Sequence, residues 1–308
     1  MGRATTATLA PLLLLAWVQA ASAAPKVVVS SKPLHALVAQ VMAGVAAPEV
    51  LVKGAASPHL YALKPSDIGL LNDADIFFRA SASLEPFTDK IAQTLPKQVE
   101  VVTLQEAPGV VLLARRTRLD FGSPDGHRHG DSRTQAFDGH IWLDPDNAKA
   151  MVDRIEAVLS ARDLAHASVF ASNAAALRHK LDGLHGELAE LLKPLAGKPY
   201  VVAHDAFQYL EQRYGLKVVG AISLSPELTP SAKRLTELRR KILALGAICV
   251  FAEPQSDLRQ IDSLTEGTLA RTGRLDPEGF ALPPGPNLYF ALMRKLAEDL
   301  RACLLPPA

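Results

Sequence analysis

From Lys26 onward, short β-branched runs alternate with amphipathic stretches, an order that predicts a sheet with helices between its strands. Val27, Val28 and Val29 read as a strand, 34–45 as a helix, and Val50, Leu51 and Val52 as the next strand. Ser66 and Asp67 ahead of Ile68, Leu70 and Leu71 read as a capped short helix, with strands following over 74–78 and around Val99, Val101 and Val102. Between Arg115 and Gly139 the pattern fails. Gly122, Pro124, Gly126 and Gly130 lie there among charges with little apolar content, which predicts a polar surface loop over 115–139. Asp144 and Pro145 then open a helix whose Ala148, Met151, Val152, Ile155, Val158 and Leu159 recur at helical spacing.

The stretch 161–192 holds no proline, and Leu177, Leu181, Leu184, Leu188, Leu191 and Leu192 stand mostly three or four apart, the stripe of one long helix. Beyond Pro194 the alternation resumes, with strands over 200–203, 217–220 and 248–252 and helices over 205–214, stopped by Gly215, and 235–245. The expected fold is α/β: two doubly wound α/β domains joined by one long helix, divided as 25–160, 161–192 and 193–308. Ahead of them, Arg3 precedes the apolar run 9–18 and the small residues 20–24. That is the pattern of a signal peptide over 1–24; the run is shorter than the roughly 20 apolar residues of a membrane span, and Pro11 and Gln19 interrupt it.

Charge and composition narrow the partners. Lysine and arginine number 33 against 32 acidic residues, a balance that argues against nucleic acid. At 48% apolar and 21% charged the chain is globular in composition, and its length stands near the upper limit for one hydrophobic core. It has two cysteines, Cys249 in an apolar run and Cys303 in the last helical stretch, which an exported chain can pair.

Three of the nine histidines share a setting, each standing where an apolar strand ends and a loop or helix begins. They are His59 in Gly54-Ala55-Ala56-Ser57-Pro58-His59, His140 in Gly139-His140-Ile141-Trp142-Leu143-Asp144-Pro145, and His204 in Val201-Val202-Ala203-His204-Asp205. Open α/β sheets bind ligands beyond the carboxyl ends of their strands, and converging imidazoles suit a borderline-soft divalent ion. Any one alone is weak, because a lone histidine is more often a hydrogen-bonded structural residue. His35, His166, His179 and His185 are assigned that structural role.

Together, these motifs resemble the zinc-binding members of the periplasmic metal-binding proteins of ABC transporters, over nearly the whole mature chain. Similar stretches are Tyr61-Ala62-Leu63-Lys64-Pro65-Ser66-Asp67, His204-Asp205-Ala206-Phe207, Phe251-Ala252-Glu253-Pro254-Gln255 and Leu275-Asp276-Pro277. The resemblance implies His59, His140 and His204 as zinc ligands, with Asp276 as the fourth or a water in its place. It implies a periplasmic carrier, expected as a monomer, that hands zinc to the membrane permease of an ABC transporter. Members that carry manganese have glutamate where His204 stands, so a manganese or iron carrier of the same fold is the alternative. Related zinc carriers often have a longer histidine- and acid-rich insertion where Asp125, His127, His129 and Asp131 stand; here it is rudimentary, and a solvated loop is the favoured reading. A secreted zinc metalloenzyme is the remaining class, but no His-Glu-x-x-His motif is present, and Glu253, the one base on offer, reads as a polar residue at a strand end.

Overall fold

The computed structural model describes residues 23–54, 56–117, 121, 137–226 and 228–305. Most of the expected signal peptide, and Asp125, His127, His129 and Asp131, lie outside them. Among the described residues no helix is long and apolar enough to cross a membrane.

The first half builds β1 (Val27–Val29), α1 (Lys32–Val41), β2 (Glu49–Val50), α2 (Pro65–Asn72), β3 (Ile76–Arg79), α3 (Phe87–Thr94) and β4 (Glu100–Thr103). Its sheet has the order β2-β1-β3-β4 with every pair parallel. After α4 (Pro145–Arg162) and α5 (Ala167–Leu192), the second half repeats the plan: β5 (Pro199–His204), α6 (Gln208–Tyr214), β6 (Lys217–Ser223), α7 (Ala232–Leu245), β7 (Cys249–Ala252), α8 (Leu258–Thr265), β8 (Arg271–Arg274) and α9 (Leu288–Leu304). Its sheet order is β6-β5-β7-β8, again all parallel. These are two doubly wound α/β lobes, and the sequence pattern predicts both.

Three details depart from the pattern. The long helix does not begin at 161: α4 ends at Arg162, the chain turns at Asp163, and α5 restarts after His166, whose Nδ1 bonds the Asp163 carboxylate at 2.6 Å. The cap of α2 is Lys64, one residue before Pro65; the Asp67 carboxylate accepts its N–H at 2.8 Å. Strand β8 reads Arg-Thr-Gly-Arg and carries no apolar signal; it forms by pairing with β7. Gly273 is required there, because a Cβ would stand 2.5 Å from the Phe251 ring and 3.2 Å from the Cys303 Cβ.

Strand residues alternate between two apolar clusters, as the pleat demands. Val27, Val29, Tyr200, Val202, Cys249 and Phe251 face one cluster that runs through both lobes and takes in α1, α4, α5 and α9. Val28 and Phe77 face a smaller cluster under α2, and Val201, Val219 and Val250 another under α7 and α8. Leu177, Leu181, Leu184, Leu188 and Leu192 of α5 all enter the shared cluster, so the linking helix is core for both halves. A Cys249–Cys303 disulfide ties β7 to α9.

Candidate metal site

The eight strands run parallel within their sheets, and three histidines meet beyond them, though only His204 ends a strand as expected; His59 lies on the turn after β2, and His140 stands well past β4. His59 follows β2 on a turn in which the Ser57 hydroxyl accepts its N–H at 3.3 Å and the Ser57 carbonyl accepts that of Leu60 at 3.2 Å. His140 precedes the short helical turn Ile141–Leu143, and His204 is the last residue of β5. Gly139 makes the approach of His140 feasible, since a Cβ there would stand 2.6 Å from the Leu84 Cβ and 2.9 Å from the Ser81 hydroxyl.

The Nε2 atoms of His59 and His140 lie 3.3 Å apart and those of His140 and His204 3.4 Å, and one ring nitrogen from each of the three falls within 4.8 Å of the others. A zinc ion with Zn–N bonds of 2.0–2.1 Å in tetrahedral geometry requires N···N edges of about 3.3–3.4 Å. The nitrogens stand at the spacing of a coordination shell.

Outer partners fix which nitrogen faces inward. His140 Nδ1 bonds the Asp138 carboxylate at 2.7 Å, and the same oxygen accepts the His140 backbone N–H at 3.0 Å. His204 Nδ1 bonds the Glu253 carboxylate in a short contact. A carboxylate can only accept, so each Nδ1 carries the proton and each Nε2 keeps its lone pair for a metal. Two such lone pairs turned toward each other repel, unless a cation or a proton sits between them.

The electrostatics agree for His59 and His140 and differ for His204. Burial pushes the His59 pKa down to about 2, helped by His140, His204 and Arg115, and burial, His204 and Arg115 hold His140 well below its usual value. For His204 burial acts in the same direction, but the Glu253 carboxylate and its hydrogen bond outweigh it and raise the pKa. Burial also lifts Asp138 to about 7, a shift that a dication at the imidazoles would oppose.

The lobes are laced together around this point. Tyr209 of α6 donates its hydroxyl to the Asp138 carbonyl at 2.8 Å, and Arg213 makes a bidentate pair with Asp144 at 2.7 and 2.8 Å. Arg116 reaches from the first half to Asp205 and Glu211, each at 2.8 Å. Trp142, packed edge-on against His140, donates its indole N–H to the Pro277 carbonyl at 3.0 Å.

Of the four residues expected as ligands, the structure brings together the three histidines. Asp276 stands on the loop after β8 with its oxygens turned to its own backbone, accepting the N–H of Glu278 and of Ala281 at 3.2 Å each. His35 and His185 have structural partners, the Pro48 carbonyl at 3.0 Å and the Tyr214 hydroxyl at 3.2 Å. Sequence reasoning missed Asp138, and it placed Glu253 at a strand end, where it stands, without its bond to His204. Asp138 stands two residues before His140 at the edge of the polar loop. Glu253 is brought to His204 by the β5–β7 register, in which Val202 pairs with Phe251.

Residues 27–303 match the family model described as zinc-uptake complex component A, periplasmic. The high-affinity zinc uptake system protein ZnuA of Brucella abortus is 41% identical, over 90% of this chain and 91% of that protein. The protein of the same name from Paracoccus denitrificans is 34% identical, with 99% of each covered. Among solved structures, the Zn(II)-bound ZnuA-like domain of Streptococcus pneumoniae AdcA superimposes with a TM-score of 0.70 at 27% identity, over 91% of this chain and 99% of that one.

Proposed function

We propose, for a chain that belongs to the family of the periplasmic component A of zinc-uptake complexes, that His59, His140 and His204 hold the captured ion and that Asp276 closes its shell. The protein is a zinc-binding solute carrier of an ABC-type uptake system: it captures zinc and delivers it to a membrane permease, and it is not an enzyme. The observation that carries the site is the pair of 3.3 and 3.4 Å separations between inward-facing Nε2 atoms. Three nitrogens and one oxygen favour zinc over a harder ion such as manganese. The two bonds that Asp276 accepts are long backbone contacts, which a dication would displace. In this reading residues 1–24 export the chain to the periplasm, 25–160 and 193–308 act as metal-binding lobes about the 161–192 helix, and the carrier works as a monomer without nucleic acid.

The test is metal content and competition on purified, stripped protein. One tightly bound zinc per chain, preferred over manganese and lost or greatly weakened in His204→Ala, supports the site. Tight zinc binding that ignores His204, or no preference between the two ions, sinks it.

A further inference from the structure

Lys32 is a buried lysine. It is the first residue of α1, at the positive end of the helix dipole, with no acidic residue in that first turn, and it is only 5% exposed. An ammonium group in such a place is unfavourable unless something requires it there. Its partners belong to the other lobe: Nζ donates to the carbonyls of Phe280 at 3.2 Å, Leu282 at 3.3 Å and Gly279 at 3.4 Å. Burial lowers its pKa, and the carboxylates of Asp276 and Glu278 oppose that shift, so the charge faces the same loop. The other side of the loop is held as well, by Trp142, which bonds Pro277 and packs on His140, while the Tyr289 hydroxyl bonds the Trp142 carbonyl at 2.8 Å. The loop carrying Asp276 is thus gripped from the first lobe at both of its ends.

We propose that Lys32 is a positioning residue for zinc retention: by holding the carbonyls of Gly279, Phe280 and Leu282, it keeps the Asp276 loop within reach of the histidine cluster and so sets how long the ion stays bound. The inference rests on the reading of Asp276 as the closing ligand. Lys32 touches no ion itself. Its effect passes through the loop and therefore falls on dissociation; association depends on the three imidazoles, which Lys32 does not contact.

The experiment is stopped-flow release of zinc from the mature chain into excess chromophoric chelator, for wild type, Lys32→Met, Lys32→Arg, Asp276→Asn and the Lys32→Met/Asp276→Asn double variant. Lys32→Met keeps the buried stem but loses the donors, and zinc should leave about tenfold faster, in the range found for partners that orient metal ligands. Association should be unchanged, and Lys32→Arg, which keeps donors and charge, should restore slow release. The double variant should release zinc no faster than Asp276→Asn alone, because the two residues act in series. Unchanged release from Lys32→Met, or effects that multiply in the double variant, overturns the proposal. Should Lys32→Met fail to fold, Lys32→Gln, which keeps one donor group and loses the charge and most of the reach, decides: zinc release faster than wild type with faster amide exchange over 279–282 supports the clamp, and wild-type values of both overturn it. A His204→Ala variant that binds zinc as tightly as the wild type would instead remove the site itself.

Discussion

At the scale of single residues, the carboxylates behind the imidazoles matter nearly as much as the imidazoles. Glu253→Gln keeps the shape but can turn its amide N–H toward His204 Nδ1, which would favour the wrong tautomer. The expected cost is about 10- to 100-fold in zinc affinity, read by competition with a chelator, with the melting temperature little changed. The shifted titrations also bear on how many protons zinc must displace. His59, at about 2, and His140 are neutral across the working range, whereas His204 is raised by Glu253. Zinc therefore competes with a proton on His204 and, below about pH 7, with a second on Asp138, and affinity should fall by up to about a hundredfold per pH unit once the pH drops below both values. Calorimetry in buffers of differing ionisation enthalpy should find about two protons released per zinc near pH 6, one from His204 and one from Asp138; none would mean that both are already deprotonated in the metal-free protein. The convergence of the three histidines was legible from the long motifs that hold them, but of the three only His204 ends a strand; His59 lies on a turn past β2, and among the described residues no strand leads into His140. The role of Glu253 was not legible, since it depends on a partner strand 49 residues away.

At the scale of elements, apolar periodicity located most helices and strands; α3 and α8 were passed over although Phe87 and Ile91, and Leu258, Ile261 and Leu264, stand at helical spacing, and β8 could not be shown by it. The last has no apolar residue to report, and Gly273 counts only once the Phe251 ring lies over it. The break between α4 and α5 was hidden for a related reason: Asp163 and His166 are ordinary helix-surface residues until their side chains bond each other. The cysteines, by contrast, sat in a recognisable strand and helix, and their pairing closes a loop of 54 residues' separation. Replacing both by alanine should lower the unfolding free energy by about 4 kcal/mol, measured with urea, and leave the zinc affinity of the folded protein unchanged. A loss under about 1 kcal/mol would mean that the denatured chain gains little from being cut free.

At the scale of the whole molecule, two lobes and a joining helix were predictable from length and alternation, whereas the merging of both inner faces into one apolar cluster was not. That merging buries polar groups along the seam. Glu85 accepts the N–H of Ala80 at 2.8 Å and that of Ser81 at 3.3 Å, and burial pushes its pKa up to about 7. A carboxyl whose folded pKa exceeds its unfolded value of 4.5 favours the fold at low pH and loses that contribution as the pH rises through 7. Glu85→Gln should therefore stabilise the metal-free protein at pH 8 by up to about 3 kcal/mol and change little at pH 4.5. Denaturation curves at the two pH values check the sign, and equal effects at both would assign the change to packing.

Helix α9 packs on both α1 and α5, so the last helix completes the surroundings of the first. A chain made or threaded from its N-terminus has all its strands available before this helix emerges, yet α1 keeps an uncovered apolar flank until Leu288–Leu304 arrives. That flank is covered in full only once the chain has passed Leu288. A chain stalled before Leu288 should therefore be cut by proteases more readily than the full-length chain.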